Sequence, residues 1–284
     1  MKKIFLSMAL FAFSLLILSA CGRSNKQVTA GGSTALQPMV EQASIDYMKA
    51  DSSKIIMVQG GGSGVGLAQI VAGSFQIGNS DIFAEEKPGI DATKITDHKV
   101  AVVGFTPIIN KNTAVSNLTQ QQLIDIFTGK ITNWKEVGGQ NLKITVVGRT
   151  QGSGTRVNFD KYALNSAVEV SGPTQDASGS VVQLVGQTPG AISYVAFSYM
   201  HKTGVKPVKI DGVAPNYTNV ATNAWKIWSY EHMYTNKSNQ NATEDKFIKY
   251  VTEDSKILTK LGYLRVSDMK VDRDAKGNIA KLTH

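Results

Sequence analysis

Gly148-Arg149-Thr150-Gln151-Gly152-Ser153-Gly154-Thr155 lies between a β-branched run, 142–147, and a stretch with helical spacing, 156–164. Its glycines let the backbone approach a ligand and take positive φ, while the first turn of the following helix offers unpaired N–H groups at the positive end of its dipole. Hydroxyls from Ser153 and Thr155 add donors, and Arg149 adds a permanently charged fork. The same layout occurs twice upstream, as Ala30-Gly31-Gly32-Ser33-Thr34 and as Gly60-Gly61-Gly62-Ser63-Gly64. Three strand-to-helix turns of this composition predict an α/β fold that gathers helix N-termini around an anion.

Working outward, β-branched runs predict strands over 54–58, 100–105, 142–147 and 191–195. Helical spacing predicts helices over 36–49, 65–72, 120–127, 156–164, 180–185 and 244–261, and Thr119 with Gln122 makes a capping box for the third. The chain has 284 residues, 42% of them hydrophobic, enough to build the core of one large domain or two ordinary ones. That composition excludes disorder, a collagen repeat and, with a single cysteine, a disulfide scaffold.

The glycine turns fail the better-known tests for nucleotides and hydrolysis. None ends in the Gly-Lys-Ser/Thr of a P-loop. Val65 and Leu67 break the dinucleotide pattern, and Ala35, Val65 and Thr155 break the serine-hydrolase elbow around Ser33, Ser63 and Ser153. His98, His201, His232 and His284 are scattered, which argues against a metal cluster or a catalytic base. The basic residues are dispersed without interleaved aromatics, so the formal +8 does not indicate nucleic acid. Trp134, Trp225 and Trp228 could stack on a sugar, but scattered tryptophans more often pack a core or a hinge.

Lys2 and Lys3 precede an apolar stretch, 4–18, shorter than a membrane-spanning helix requires, followed by Leu18-Ser19-Ala20-Cys21. This is the layout of an export signal over 1–20, and Leu-Ser-Ala-Cys resembles a bacterial lipobox, in which Cys21 is lipidated and 21–27 forms the lipidated residue and its polar tether. Two acyl chains would anchor the chain stably. Loss of Lys2 and Lys3 lowers the formal charge from +8 to +6.

Gly32-Ser33-Thr34, Gln59-Gly60-Gly61-Gly62-Ser63-Gly64, Ile77-Gly78-Asn79-Ser80-Asp81, Ile126-Phe127-Thr128-Gly129-Lys130-Ile131-Thr132-Asn133-Trp134 and Arg149-Thr150-Gln151-Gly152-Ser153-Gly154-Thr155 follow one another in a familiar order. With them the chain resembles the PstS-type phosphate-binding proteins of bacterial phosphate ABC transporters over nearly all of its mature length. The resemblance implies a two-lobe, type II periplasmic-binding-protein-like α/β fold, with the ligand in a cleft between lobes that close about a hinge. It implies lobe I in 28–105 plus 226–284 and lobe II in 106–225. It further implies a monomeric, non-enzymatic solute-binding protein, without cofactor, held by its lipid on the outer face of the cell membrane beside the permease subunits.

Carried over by position, Thr34, Ala35 and Ser63 donate from lobe I, and Ser153, Gly154 and Thr155 donate from a helix start in lobe II. Arg149 pairs with the anion, and Asp81 accepts from it. Ala35 departs from the bulky aromatic of better-known members, and Ser33 is a nearby donor without an assigned role. Phosphate at neutral pH keeps at least one proton whereas sulfate keeps none, so an acceptor-only Asp81 favours phosphate and repels sulfate. Asp81 is also expected to pair with Arg149 in the empty cleft. The alternatives are another oxyanion (molybdate, tungstate or sulfate), a secreted phosphatase on the same scaffold, and a surface adhesion protein.

Overall fold

The computed structural model describes residues 27–239, 242–253 and 255–283. The export signal, Cys21 and His284 lie outside them.

An eight-stranded sheet organises the chain. Its strands are β1 (Gln27–Gly32), β2 (Ile55–Gln59), β3 (Ile77–Ser80), β4 (Ile95–Asn110), β5 (Thr145–Val146), β6 (Ala191–Ala196), β7 (Val205–Pro207) and β8 (Trp228–Asn236). The order is β2-β1-β3-β8-β4-β6-β5, with β7 also on β4. β1 runs parallel to both β2 and β3, and β5 runs parallel to β6. Helices α1 (Gln37–Ala50), α2 (Ser63–Val71), α3 (Gln120–Phe127), α4 (Gly154–Tyr162), α5 (Ser178–Gln187), α6 (Tyr217–Ala221), α7 (Ala242–Glu253) and α8 (Ser255–Lys260) complete the two-lobe α/β architecture.

β4 is the element that joins the halves. From Ile95 to Gly104 it pairs antiparallel with β8, and from Phe105 to Ile109 it pairs antiparallel with β6. Gly104 stands at that change of partner, where a Cβ would enter the Phe197 ring at 2.5 Å. β8 is buried almost throughout although it carries Glu231 and His232. That polarity hides a central strand from any reading by apolar runs.

The expected helices recur with ends moved by one or two residues, and 120–127 recurs at Gln120–Phe127. Its capping box is present: Thr119 Oγ1 accepts from the Gln122 N–H at 3.1 Å, and the Thr119 N–H donates to Gln122 Oε1 at 2.9 Å. The single helix expected over 244–261 is instead two, α7 and α8, and Gly262 at φ 78° follows the second. The strand expected over 142–147 shrinks to Thr145–Val146, because 142–144 turns instead to 132–134 through a single antiparallel bridge, Asn133 to Lys143, with Trp134 N–H on Leu142 O and Ile144 N–H on Thr132 O. Trp134, Trp225 and Trp228 are all buried core residues, with their indole N–H groups on Gly190 O, Phe105 O and Asn223 Oδ1.

Candidate anion-binding site

The carboxyl ends of parallel strands are where an open α/β sheet leaves a crevice. Here β1 ends into Ser33 and Thr34, β2 into the turn that starts α2 at Ser63, and β3 into Asp81. From the other half, the turn after β5 carries Arg149 and the start of α4. Thr34, Ala35, Ser63, Asp81, Arg149, Ser153 and Thr155 are all nearly or fully buried there.

Asp81 is the centre of the hydrogen bonding. Ser63 Oγ donates to Asp81 Oδ1 at 2.9 Å, and Thr155 Oγ1 donates to Asp81 Oδ2 at 2.9 Å. The Asp81 N–H returns a bond to Ser63 Oγ at 3.0 Å. Gly154 sits so close that a Cβ there would collide with Ser63 Oγ and come within 3.1 Å of Asp81 Cγ. The Gly64 N–H donates to Gly152 O at 2.9 Å, which fastens the α2 turn to the α4 turn. Both helix starts therefore face one point, each with first-turn N–H groups that have no partner within their own helix.

Arg149 is 1% exposed and lacks a carboxylate partner among the described residues. Its Nε and Nη2 donate to Gln175 O (3.1 Å) and Asp176 O (2.9 Å), and Nη2 also reaches Thr34 Oγ1 (3.3 Å). Nη1 is buried with no partner among the described residues. Burial pulls the guanidinium down from its ordinary value, opposed by Tyr194 and then by Asp81, yet a group that starts so high stays charged. The expected Asp81–Arg149 pair is not made: the carboxylate oxygens are occupied by hydroxyls and the guanidinium by carbonyls, and the two charges act only through space.

Ser33 acquires a role of a different kind. Its Oγ accepts from the N–H groups of Ala35 (3.1 Å) and Leu36 (3.0 Å), shaping the entry to α1. The Ala35 N–H is thus already engaged, and further donation by it would be shared between two acceptors. Ser153 caps α4 by accepting the Arg156 N–H at 3.3 Å and keeps its own hydroxyl proton free to turn.

Sequence reasoning missed three supports. Ser178, first residue of α5, holds Thr34 Oγ1 through its N–H (3.3 Å) and meets it through its hydroxyl (3.2 Å). Asn158 joins α4 to β3's exit by donating to Asp81 O at 2.7 Å. Tyr199 donates to Thr34 O at 3.2 Å. Only Asn158 left a trace in the sequence, four residues after Gly154 on the same helix face.

The PBP superfamily domain profile matches residues 19–255. The phosphate-binding protein PstS of Bacillus subtilis is 43% identical over 290 residues, spanning 95% of this chain and 96% of that protein. Among solved structures, a phosphate ABC transporter substrate-binding protein from Clostridium perfringens with bound phosphate aligns at TM-score 0.79 and 30% identity, covering 84% of this chain and 99% of that one. An ABC-type phosphate transport receptor from Vibrio cholerae aligns at TM-score 0.66 and 25% identity, covering 84% and 99%. With a crevice built from three glycine-bearing strand exits, and with similarity to these proteins over nearly its whole length, the chain belongs to the PstS-type phosphate-binding branch of the PBP superfamily.

Proposed function

We propose that the chain captures inorganic phosphate outside the cytoplasm and delivers it to a phosphate ABC transporter, as the names of its relatives describe for those proteins. The carrying observation is a buried carboxylate, Asp81, set among donors beside a buried guanidinium with one nitrogen unpartnered among the described residues. Such a set takes an anion that still bears a proton. Phosphate gives its P–O–H to Asp81, while the Ser63 and Thr155 hydroxyls, now turned to Asp81, rotate to donate to the other oxygens. Thr34, Ser153 and the N–H groups of Gly154 and Thr155 add donors, Ala35 lines the pocket, and Arg149 Nη1 supplies charge. Sulfate has no proton for Asp81 and meets a carboxylate with its own negative oxygen.

The lobes of this reading are 28–105 plus 226–284 and 106–225, supported by the partner change of β4 between Gly104 and Phe105 and by the start of β8 at Trp228. Residues 1–20 are removed on export, Cys21 carries the lipid, and a monomer stands on the outer face of the membrane at the permease subunits. Titration calorimetry on a form that begins after Cys21 tests the site: phosphate binds tightly and sulfate gives no saturable heat. Sulfate binding as tight as phosphate overturns the assignment. Labelling cells with a tagged fatty acid tests the anchor: the wild type takes up the label and Cys21→Ala does not.

A further inference from the structure

The C-terminal hairpin, Val271–Arg273 against Ile279–Lys281, supplies no residue to the site, yet it meets the far end of α4, whose start does. Asp272 fixes the hairpin to β4 and β8: Tyr230 Oη donates to its Oδ1 at 2.6 Å, and Lys99 Nζ lies 3.3 Å from the same oxygen. The next residue, Arg273, is 3% exposed and inserts its guanidinium between two rings, 4.0 Å from Trp228 on β8 and 3.9 Å from Tyr162, the last residue of α4. Its nitrogens donate to Trp228 O, to Lys226 O at 2.9 Å and to Asn223 Oδ1 at 3.4 Å. No carboxylate forms an ion pair with it among the described residues. At the hairpin tip, a Cβ on Gly277 would lie 3.2 Å from Tyr162 Oη and 3.3 Å from Lys161 Cε.

α4 is therefore held at both ends. Its N-terminus presents Gly154 and Thr155 to Asp81. At its C-terminus, Tyr162 closes the ring sandwich, and Lys161 Nζ meets Glu86 Oε1 at 2.8 Å. A desolvated cation between aromatic faces has no cheap alternative once the second ring leaves, because water reaches only one side of it. Burial without a carboxylate partner also pulls Arg273 down to about 10.

We propose that the C-terminal hairpin is a strap across the hinge, and that Arg273 is a positioning residue for phosphate: it sets how long the closed cleft keeps its ligand by gripping Tyr162 at the far end of α4. The proposal rests on the lobe boundaries above, which put Tyr162 and Arg273 in different lobes. Strap and ligand then stabilise the same closed form, so each strengthens the hold of the other.

The test uses Arg273→Met, which keeps the apolar stem, Tyr162→Leu, and the double variant, with small-angle scattering, phosphate-release kinetics and unfolding of the phosphate-free protein. The wild type contracts on phosphate. Each single variant releases phosphate about tenfold faster, and the double variant is no faster than either single one. Arg273→Lys, which lacks the planar stacking face, does not restore slow release. A role confined to stability would lower the unfolding midpoint while leaving release unchanged, and that result overturns the strap. A wild type that does not contract overturns the lobe reading and the strap together, whereas contraction with wild-type release in both single variants overturns the strap alone. If Arg273→Met does not fold, release from Tyr162→Leu decides the matter.

Discussion

At the scale of the residue, the proposed function puts selectivity on Asp81 and affinity on Arg149. In Asp81→Asn the amide can donate to a fully deprotonated oxygen, so sulfate selectivity falls by on the order of 10²-fold or more, measured as the ratio of the two dissociation constants. In Arg149→Ala, phosphate binding weakens by about 2–5 kcal/mol, the cost of breaking a buried charge contact, and calorimetry reads it directly. Glu231 offers a different measurement. It is fully buried on β8 with neither oxygen partnered among the described residues, and burial, then the charge of Asp81, pushes its carboxyl well up. A carboxyl raised in the folded chain stays neutral there while the unfolded chain ionises, so its stability contribution is complete below roughly pH 4.3 and declines as pH rises towards the folded value. Glu231→Gln therefore gains in melting temperature over wild type as pH goes from 4 to 8. A difference that does not change with pH would show that Glu231 is charged in the folded protein.

At the scale of the element, the strand-to-helix turns were readable because their function and their fold use the same residues. Glycine, serine and threonine at the start of α2 and α4 signal a helix N-terminus and an anion at once, and both turns stand where expected. The exit of β1 was legible in the same way, from Gly31-Gly32-Ser33-Thr34, whereas the exit of β3 was legible only through the family resemblance, since Asp81 alone is an ordinary turn residue. The Arg149 partners were not legible: backbone carbonyls of Gln175 and Asp176 leave no mark in side-chain identity. β8 was hidden for the opposite reason, because its Glu and His are buried against what charge alone suggests. Gly154 tests the tightness of the arrangement. Gly154→Ala puts a methyl into Ser63 Oγ and beside Asp81, so phosphate affinity falls by about 1–3 kcal/mol, read by calorimetry, while circular dichroism keeps its native form.

At the scale of the whole molecule, β8 comes late in the chain but lies in the sheet between β3 and β4, with Trp228 opposite Gly104 and His232 opposite Ser80. The strands on either side of it cannot complete their ladder until that segment arrives, whereas β5, β6 and β7 gather around the far end of β4 from nearby stretches of chain. Loop closure over so long a separation is the slow step in assembling a sheet. Pulse-labelled hydrogen exchange during refolding should accordingly find amides of β6 protected before those of β1 and β3; simultaneous protection would contradict this order. On the export route proposed above, the half bearing Arg149 takes shape first, and the half bearing Asp81 waits for the residues of β8, which emerge near the end.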